Sequence, residues 1–266
     1  MRPIMHQYLF FIGNFPIRLY GIFFSLGIIS GCITAYFLLK KDRRGWESHM
    51  FDLGLVIAFA GIVGGRLWDV FFFDWEYYHN HLLEIPYIWQ GGMAIQGGII
   101  FACIAAYFYL KKHQIPVLPF ADTVTPGIIL GQAVGRIANF MNGDAFGHPT
   151  GQDFGLLYPD TTLAYHTYGA QPLWPAEVWE CQGDLLIFVL LLWYGCKTRA
   201  EGTTFCLYIM FYSLLRFFLE NYRGDYGTLA LGLKSAQLTS LAAFAGAFIL
   251  FLYFHFKYKS KSGISE

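Results

Sequence analysis

Seven apolar stretches, each close to the length of a bilayer-crossing helix, dominate this 266-residue chain. A helix rises about 1.5 Å per residue, so crossing the hydrocarbon layer takes about 20 mostly apolar residues. Stretches of that kind lie at 18–39, 50–73, 93–110, 119–140, 177–196, 203–221 and 236–256. This argues against an ordinary soluble domain and rules out a disordered chain, and the charge content agrees. Only 14% of the residues are charged, against about 25% in average globular domains. Strand-like alternation is weak throughout, which argues against a β-barrel. The expected fold class is an all-α integral membrane protein of about seven transmembrane helices with a small outer-face head domain, residues 1–266 forming a single membrane domain.

The cations orient this map. Lys40, Lys41, Arg43 and Arg44 follow the first stretch, Lys111 and Lys112 the third, Lys197 and Arg199 the fifth, and Lys257, Lys259 and Lys261 the seventh. If seven helices alternate, these eleven of the 18 Lys and Arg residues share one side. The positive-inside rule makes that side cytoplasmic, with the N-terminus outside and the C-terminus inside. The opposite connections, 74–92 and 142–176, contain no Lys or Arg. The second is the longest polar stretch, with Asn142, Asp144, His148, Asp153, Asp160 and His166. A connection this long is usually functional or separately folded, so 142–176 is expected to be an outer-face insertion between the fourth and fifth helices. No cleavable leader pattern precedes the first stretch, which is expected to be retained. The formal net charge is zero, so nothing points to nucleic acid as a partner. Five cysteines lie in apolar stretches without a Cys-x-x-Cys pair. They read as small hydrophobes, with neither zinc site nor disulfide framework expected. The basic tail from Lys257 is expected to rest near inner-leaflet headgroups.

Five other cations stand apart: Arg18, Arg66, Arg136, Arg216 and Arg223 lie in or at the ends of apolar stretches. An Arg inside a bilayer costs about 2.5–3.5 kcal/mol or more. It therefore faces a cavity, a carboxylate or an anionic ligand. The planar guanidinium fork suits phosphate, so several Arg near the outer leaflet would suit a phospholipid headgroup. Asp69, Asp122, Glu177, Glu180, Asp184 and Glu220 offer the alternative of internal ion pairing. That alternative stays open for Arg18 and Arg216. Arg136 is set in Gly135-Arg136-Ile137-Ala138-Asn139-Phe140-Met141-Asn142-Gly143-Asp144-Ala145-Phe146-Gly147. Helical spacing puts Arg136, Asn139 and Gly143 on one face, with Asn142 and Asp144 at the helix end. Capping by Asn142 or Gly143 would explain where the helix stops, but not the Arg.

This motif resembles the signature of the prolipoprotein diacylglyceryl transferases, met here by Gly135, Arg136, Asn139, Phe140, Asn142 and Gly147. Further family features match Arg18-Leu19-Tyr20-Gly21, Gly64-Gly65-Arg66, Trp89-Gln90-Gly91-Gly92-Met93 and Asp122. Pro175 with Trp179 and Glu180, Arg223 and Gln237 match as well, so the resemblance covers about residues 16–245. It implies a seven-helix membrane enzyme with an outer-face head domain. Its activity would be transfer of the sn-1,2-diacylglyceryl group of phosphatidylglycerol to the lipobox cysteine thiol of a prolipoprotein, releasing glycerol phosphate. The implied partners are phosphatidylglycerol, the prolipoprotein signal peptide and membrane lipids. The implied location is the bacterial inner membrane, and no cofactor or metal is implied. Arg136, Arg223 and Tyr20 would be catalytic. Arg136, Asn139, Asn142, Asp144, Gly147, Gln96, Arg66 and Glu180 would bind substrate.

Three positions depart from the family pattern. Gln96 stands where many members have His, Trp174 replaces a second His, and Asp144 replaces Glu. Gln96 donates and accepts hydrogen bonds but is no general base. Three readings stay open: the His is dispensable, another group such as His148, His166, Glu180 or Asp144 serves as base, or the chain is a divergent paralogue with another acceptor or no activity. A non-catalytic lipid-binding membrane protein is the rival from another class. A transporter often shows internal repeats, and none is visible here.

Overall fold

The computed structural model describes residue 5 and residues 7–13, 15–196, 200–224 and 232–262. A short hairpin, β1 (Tyr8–Ile12) and β2 (Phe15–Arg18), opens the described chain. Helices follow: α1 (Leu19–Asp42), α2 (Met50–Trp68), α3 (Trp75–Tyr78), α4 (Ile95–Lys112), α5 (Val117–Asn142), α6 (Leu163–Tyr168), α7 (Ala176–Gly195), α8 (Thr203–Leu219) and α9 (Ser235–Ser262). A 3-10 turn at Trp46–His49 leads into α2, and a π-helical turn at Asp69–Phe73 extends it. Each of the seven apolar stretches is thus a helix.

Five of these segments are long and apolar enough to cross a membrane: Leu19–Asp42, Trp46–Phe73, Val117–Asn142, Thr203–Tyr222 and Ser235–Ser260. The protein is a multi-pass helical membrane protein. The expected third and fifth spans, α4 and α7, are outside that set. Polar ends dilute them: α4 finishes on Lys111 and Lys112, and α7 buries Glu177, Glu180 and Asp184. Lys197 and Arg199, which help set the orientation, lie outside the described residues, as does the tail beyond 262.

The chain forms two compact units, Leu39–Phe120 and Met1–Leu38 with Ala121–Glu266. In the first, α2 packs on α4. Gly64 and Gly97 face each other so closely that a Cβ on either would run into the opposing helix. Small residues that let backbones touch are a common way to hold helices together in lipid, where apolar contact alone gives no preference.

In the second unit α1 and α5 approach in the same manner. A Cβ on Gly27 would lie 2.8 Å from the Gly131 carbonyl oxygen, and one on Gly31 2.7 Å from that of Gly127. Asp122, inside α5, accepts from the amides of Gly202 (2.7 Å) and Phe205 (2.9 Å). A carboxylate there satisfies free N–H groups at the start of α8 and complements its dipole. Ile129, Ile187 and Leu191 form an apolar core flanked by Leu207, Phe211 and Leu215. The Gln237 side chain accepts from the Lys234 amide (3.0 Å), reaching back over the first turn of α9.

Segment 142–176 folds back on itself. Pro149 and Leu156 both bridge to Leu173, and Gly147 bridges to Arg223. Phe146, Tyr158, Ala164 and Leu173 bury together with Met5. Thr162 caps α6 by accepting from the Tyr165 amide.

Two local expectations are corrected. The hairpin was not anticipated, because Tyr-Leu-Phe-Phe-Ile is a continuous apolar run without alternation. Arg18 is not part of a span: it ends β2, exposed, with its guanidinium 6.0 Å from the Tyr8 ring centre.

Candidate functional site

Glu180 is the hub of a buried polar network. It lies on α7 and is 0% exposed. Its Oε1 receives Arg136 Nη2 from α5 at 2.8 Å and the Tyr212 hydroxyl from α8 at 3.1 Å. Its Oε2 faces Arg216 Nη1 at 3.4 Å and Arg223 Nη1 at 3.5 Å. A second buried carboxylate, Glu220, takes Arg216 Nη2 at 2.6 Å, with Arg223 Nε and Lys234 Nζ each at 3.9 Å. Lys234 also donates to the Glu220 and Arg223 carbonyls, at 2.9 and 2.6 Å. Local spacing prepares part of this arrangement. Tyr208, Tyr212, Arg216 and Glu220 recur every four residues and so line one face of their helix. The Tyr208 hydroxyl donates to Gln132 Oε1 at 3.0 Å.

The end of α5 joins the network through Arg136. Its Nη1 donates to Asn139 Oδ1 at 3.2 Å, and its Nη2 also lies 3.2 Å from the Tyr212 hydroxyl. Asn139 Nδ2 donates to Asp144 Oδ1 at 2.9 Å, and Asn142 Nδ2 to Asp144 Oδ2 at 3.0 Å. Asp144 reaches both because the chain turns sharply around it. Gly143 has φ +72° and Ala145 φ +60°, the left-handed region that costs a residue with a side chain energy. Tyr20, in the first turn of α1, is within electrostatic range of Asp144 and Arg136. The structure therefore brings together Arg136, Arg223, Tyr20, Asn139, Asn142, Asp144 and Glu180.

Gly147 belongs to the wall of the site rather than to its charges. It pairs with Arg223 as an antiparallel bridge, and His148 N donates to the Tyr222 carbonyl at 2.9 Å. Trp174 closes over it: a Cβ on Gly147 would strike the Trp174 carbonyl and lie 2.7 Å from the Trp174 Cβ. The Trp174 ring in turn packs edge-on to Tyr222, with centroids 5.5 Å apart. Gly147→Ala is expected to destabilise the outer segment by about 1–3 kcal/mol, the usual cost of overpacking. The strain falls on the bridge that sets Arg223, so the geometry of the arginine site should loosen along with stability. A melting curve in detergent beside an activity assay checks both.

Arg66 and Gln96 lie in the unit formed by Leu39–Phe120. Arg66 is 3% exposed and its donors go to backbone carbonyls: Nε to Ile85 (2.8 Å), Nη1 to Gly91 (2.7 Å) and Gly92 (3.0 Å), and Nη2 to Glu84 (3.2 Å). Its guanidinium sits 4.9 Å from the Tyr78 ring centre. Gln96 is exposed in the first turn of α4.

Two members of the network were not singled out from sequence: Tyr212, whose signal was its four-residue spacing to Arg216, and Lys234. A third feature is the buried hydroxyl of Tyr158, which donates to Glu177 Oε1. Burial and that neighbouring carboxylate push the Tyr158 phenol well above its ordinary value, so it stays a donor. Of the histidines weighed as bases, His148 places Nδ1 2.9 Å from the Pro149 carbonyl, and His166 is exposed on α6.

Fold and site define a multi-pass helical membrane protein with an arginine-rich, carboxylate-bridged centre buried among its helices. A family model described as prolipoprotein diacylglyceryl transferase matches residues 7–253. The chain is 35% identical over 238 residues to a phosphatidylglycerol–prolipoprotein diacylglyceryl transferase of Clostridium botulinum, covering 89% of this chain and 92% of the relative. Proteins of the same name from Staphylococcus saprophyticus and Halalkalibacterium halodurans are 35% and 32% identical, over 87% and 91% of this chain and 83% and 84% of their own. The chain belongs to the prolipoprotein diacylglyceryl transferase family.

Proposed function

We propose that this protein transfers the diacylglyceryl group of phosphatidylglycerol to the lipobox cysteine of a prolipoprotein in a bacterial inner membrane. The observation that carries this reading is the convergence of Arg136, Arg216 and Arg223 on one buried carboxylate, Glu180. Glu180 and Glu220 hold these guanidiniums at fixed positions, where a phosphodiester can take over part of their hydrogen bonding. In the reaction the cysteine sulfur attacks the terminal glyceryl carbon and forms a C–S bond. The C–O bond to phosphate breaks, glycerol phosphate leaves with the electron pair, and the thiol proton ends on the released phosphate. Negative charge grows on the leaving phosphate, where fixed cations in a dry site stabilise it most. The same cations favour the thiolate.

In this scheme Arg136 and Arg223 hold the phosphate, exchanging part of their contact with Glu180 for it. Tyr20, Asn139, Asn142, Asp144 and Gly147 shape the headgroup pocket. Arg66 serves within its own unit by fixing the carbonyls of Glu84, Ile85, Gly91 and Gly92. The scheme calls on no cofactor. The topology that suits it has α4 and α7 as two further spans, making seven, with residues 142–176 as an outer-face head domain, the N-terminus outside and the C-terminus cytoplasmic.

The test uses purified protein in detergent with phosphatidylglycerol and a lipobox peptide. The expected result is a diacylglyceryl mass gain on the peptide cysteine. No gain from folded protein, with the Clostridium botulinum relative active in parallel, would favour a divergent paralogue in which Gln96 and Trp174 mark a different acceptor.

A further inference from the structure

Three buried atoms beside the network have no hydrogen-bond partner among the described residues: Nε of Arg136, and Oδ1 and Oδ2 of Asp184. Asp184 is 0% exposed and lies one turn beyond Glu180 on α7, on the same helical face. It lies within electrostatic range of Arg136, Tyr212 and Cys181. A carboxylate fully out of water without donors is costly, and native chains rarely keep one without a use. Among the described residues no ion pair explains it: the Arg136 groups that do find partners go to Glu180, Asn139 and Tyr212.

The unsatisfied atoms make opposite demands. The guanidinium N–H needs an acceptor, and the carboxylate needs two donors. A bare phosphate meets the first demand and repels the second. An ammonium headgroup supplies donors but meets four cations, Arg136, Arg216, Arg223 and Lys234. A phosphodiester carrying a vicinal diol meets both at once without added positive charge. Arg136 is also the open edge of this site, with a side chain 20% exposed against 1% for Glu180.

We infer that Asp184 reads the headgroup, accepting hydrogen bonds from the two hydroxyls of a phosphoglycerol whose phosphate rests on Arg136. This rests on the transferase reading above and adds a specificity-determining residue to it. The Arg136 fork shifts off Glu180 as phosphate arrives, and that shift opens Asp184 to the diol.

The experiment compares two donor lipids with identical acyl chains and phosphodiester charge: phosphatidylglycerol and phosphatidylpropanol, which lacks both hydroxyls. With the wild-type protein, kcat/KM should favour phosphatidylglycerol by about a hundredfold, the scale expected when a buried charged acceptor loses its donors. In Asp184→Asn, and in Asp184→Leu, which buries no charge, the preference should fall at least about tenfold. The fall should come from a higher KM for phosphatidylglycerol, with kcat/KM for phosphatidylpropanol falling by a much smaller factor. Independently of any variant, phosphatidylglycerol should raise the wild-type melting temperature more than phosphatidylpropanol does. Equal use of the two lipids by the wild type overturns the inference. So does an equal fall for both lipids in the variants, which would make Asp184 part of the ion balance or the holder of a water molecule. No transfer from either lipid overturns the transferase reading instead, and the melting shift still decides whether the diol is recognised.

Discussion

Glu180→Ala is expected to destabilise the protein by about 3–5 kcal/mol, the range found when one partner of a buried ion pair is removed. The reason is the number of groups that depend on it. Arg136, Arg216 and Arg223 all approach its two oxygens within 3.5 Å, and Tyr212 donates to it as well. Truncation leaves three guanidiniums facing one another in a helical interior with Glu220 as the remaining acidic partner of two of them. Arg136 loses its ion pair altogether. Glu180→Gln keeps the shape and one acceptor for Tyr212 but removes the charge, so its effect should be smaller. The check is thermal unfolding of detergent-solubilised protein, read by size exclusion. Wild-type melting of Glu180→Ala would show that the network is loosely held and that Glu180 is not its organiser. A like-charge reversal, Glu180→Lys, should leave no folded protein to purify.

Much of this arrangement was legible in the chain. The apolar stretches located all seven long helices, because in lipid the backbone must satisfy itself and a helix does so within one segment. The run from Gly135 to Gly147 placed Arg136, Asn139, Asn142 and Asp144 together, since three- and four-residue spacings on a helix are contacts. Arg216 with Glu220 was readable for the same reason. Partner choice between helices was not readable. Nothing in the spacing of α7 tells which of six carboxylates meets three arginines, because that is decided by how α5, α7 and α8 pack. Arg66 illustrates the converse: an arginine in an apolar helix can spend its donors on the carbonyls of a neighbouring loop. The need for glycine at position 147 is likewise tertiary, set by the Trp174 carbonyl lying over it.

Arg136→Ala should lower kcat for diacylglyceryl transfer by about a thousandfold while the protein still folds, the scale seen on removing a transition-state charge stabiliser. The two halves of that expectation have separate grounds. Folding survives because Glu180 keeps Arg216 and Arg223 within 3.5 Å after Arg136 is gone, and because the Arg136 side chain is one-fifth exposed rather than sealed. Catalysis should not survive, because Arg136 links the carboxylate hub to the Asn139–Asp144 end of the site. Lysine is a sharper test than alanine. Arg136→Lys keeps the charge but loses the fork that spans Glu180 and Asn139 together. If charge alone matters, Arg136→Lys should run near the wild-type rate. If the fork orients the phosphodiester, as this geometry argues, it should stay at least about tenfold slower. Arg223→Ala gives the paired comparison: that side chain is 5% exposed and touches both Glu180 and Glu220, so its loss should lower stability and rate together. Rates for Arg136→Ala within tenfold of wild type, in a protein with unaltered melting, would remove Arg136 from the chemistry and leave it a structural counter-ion of Glu180.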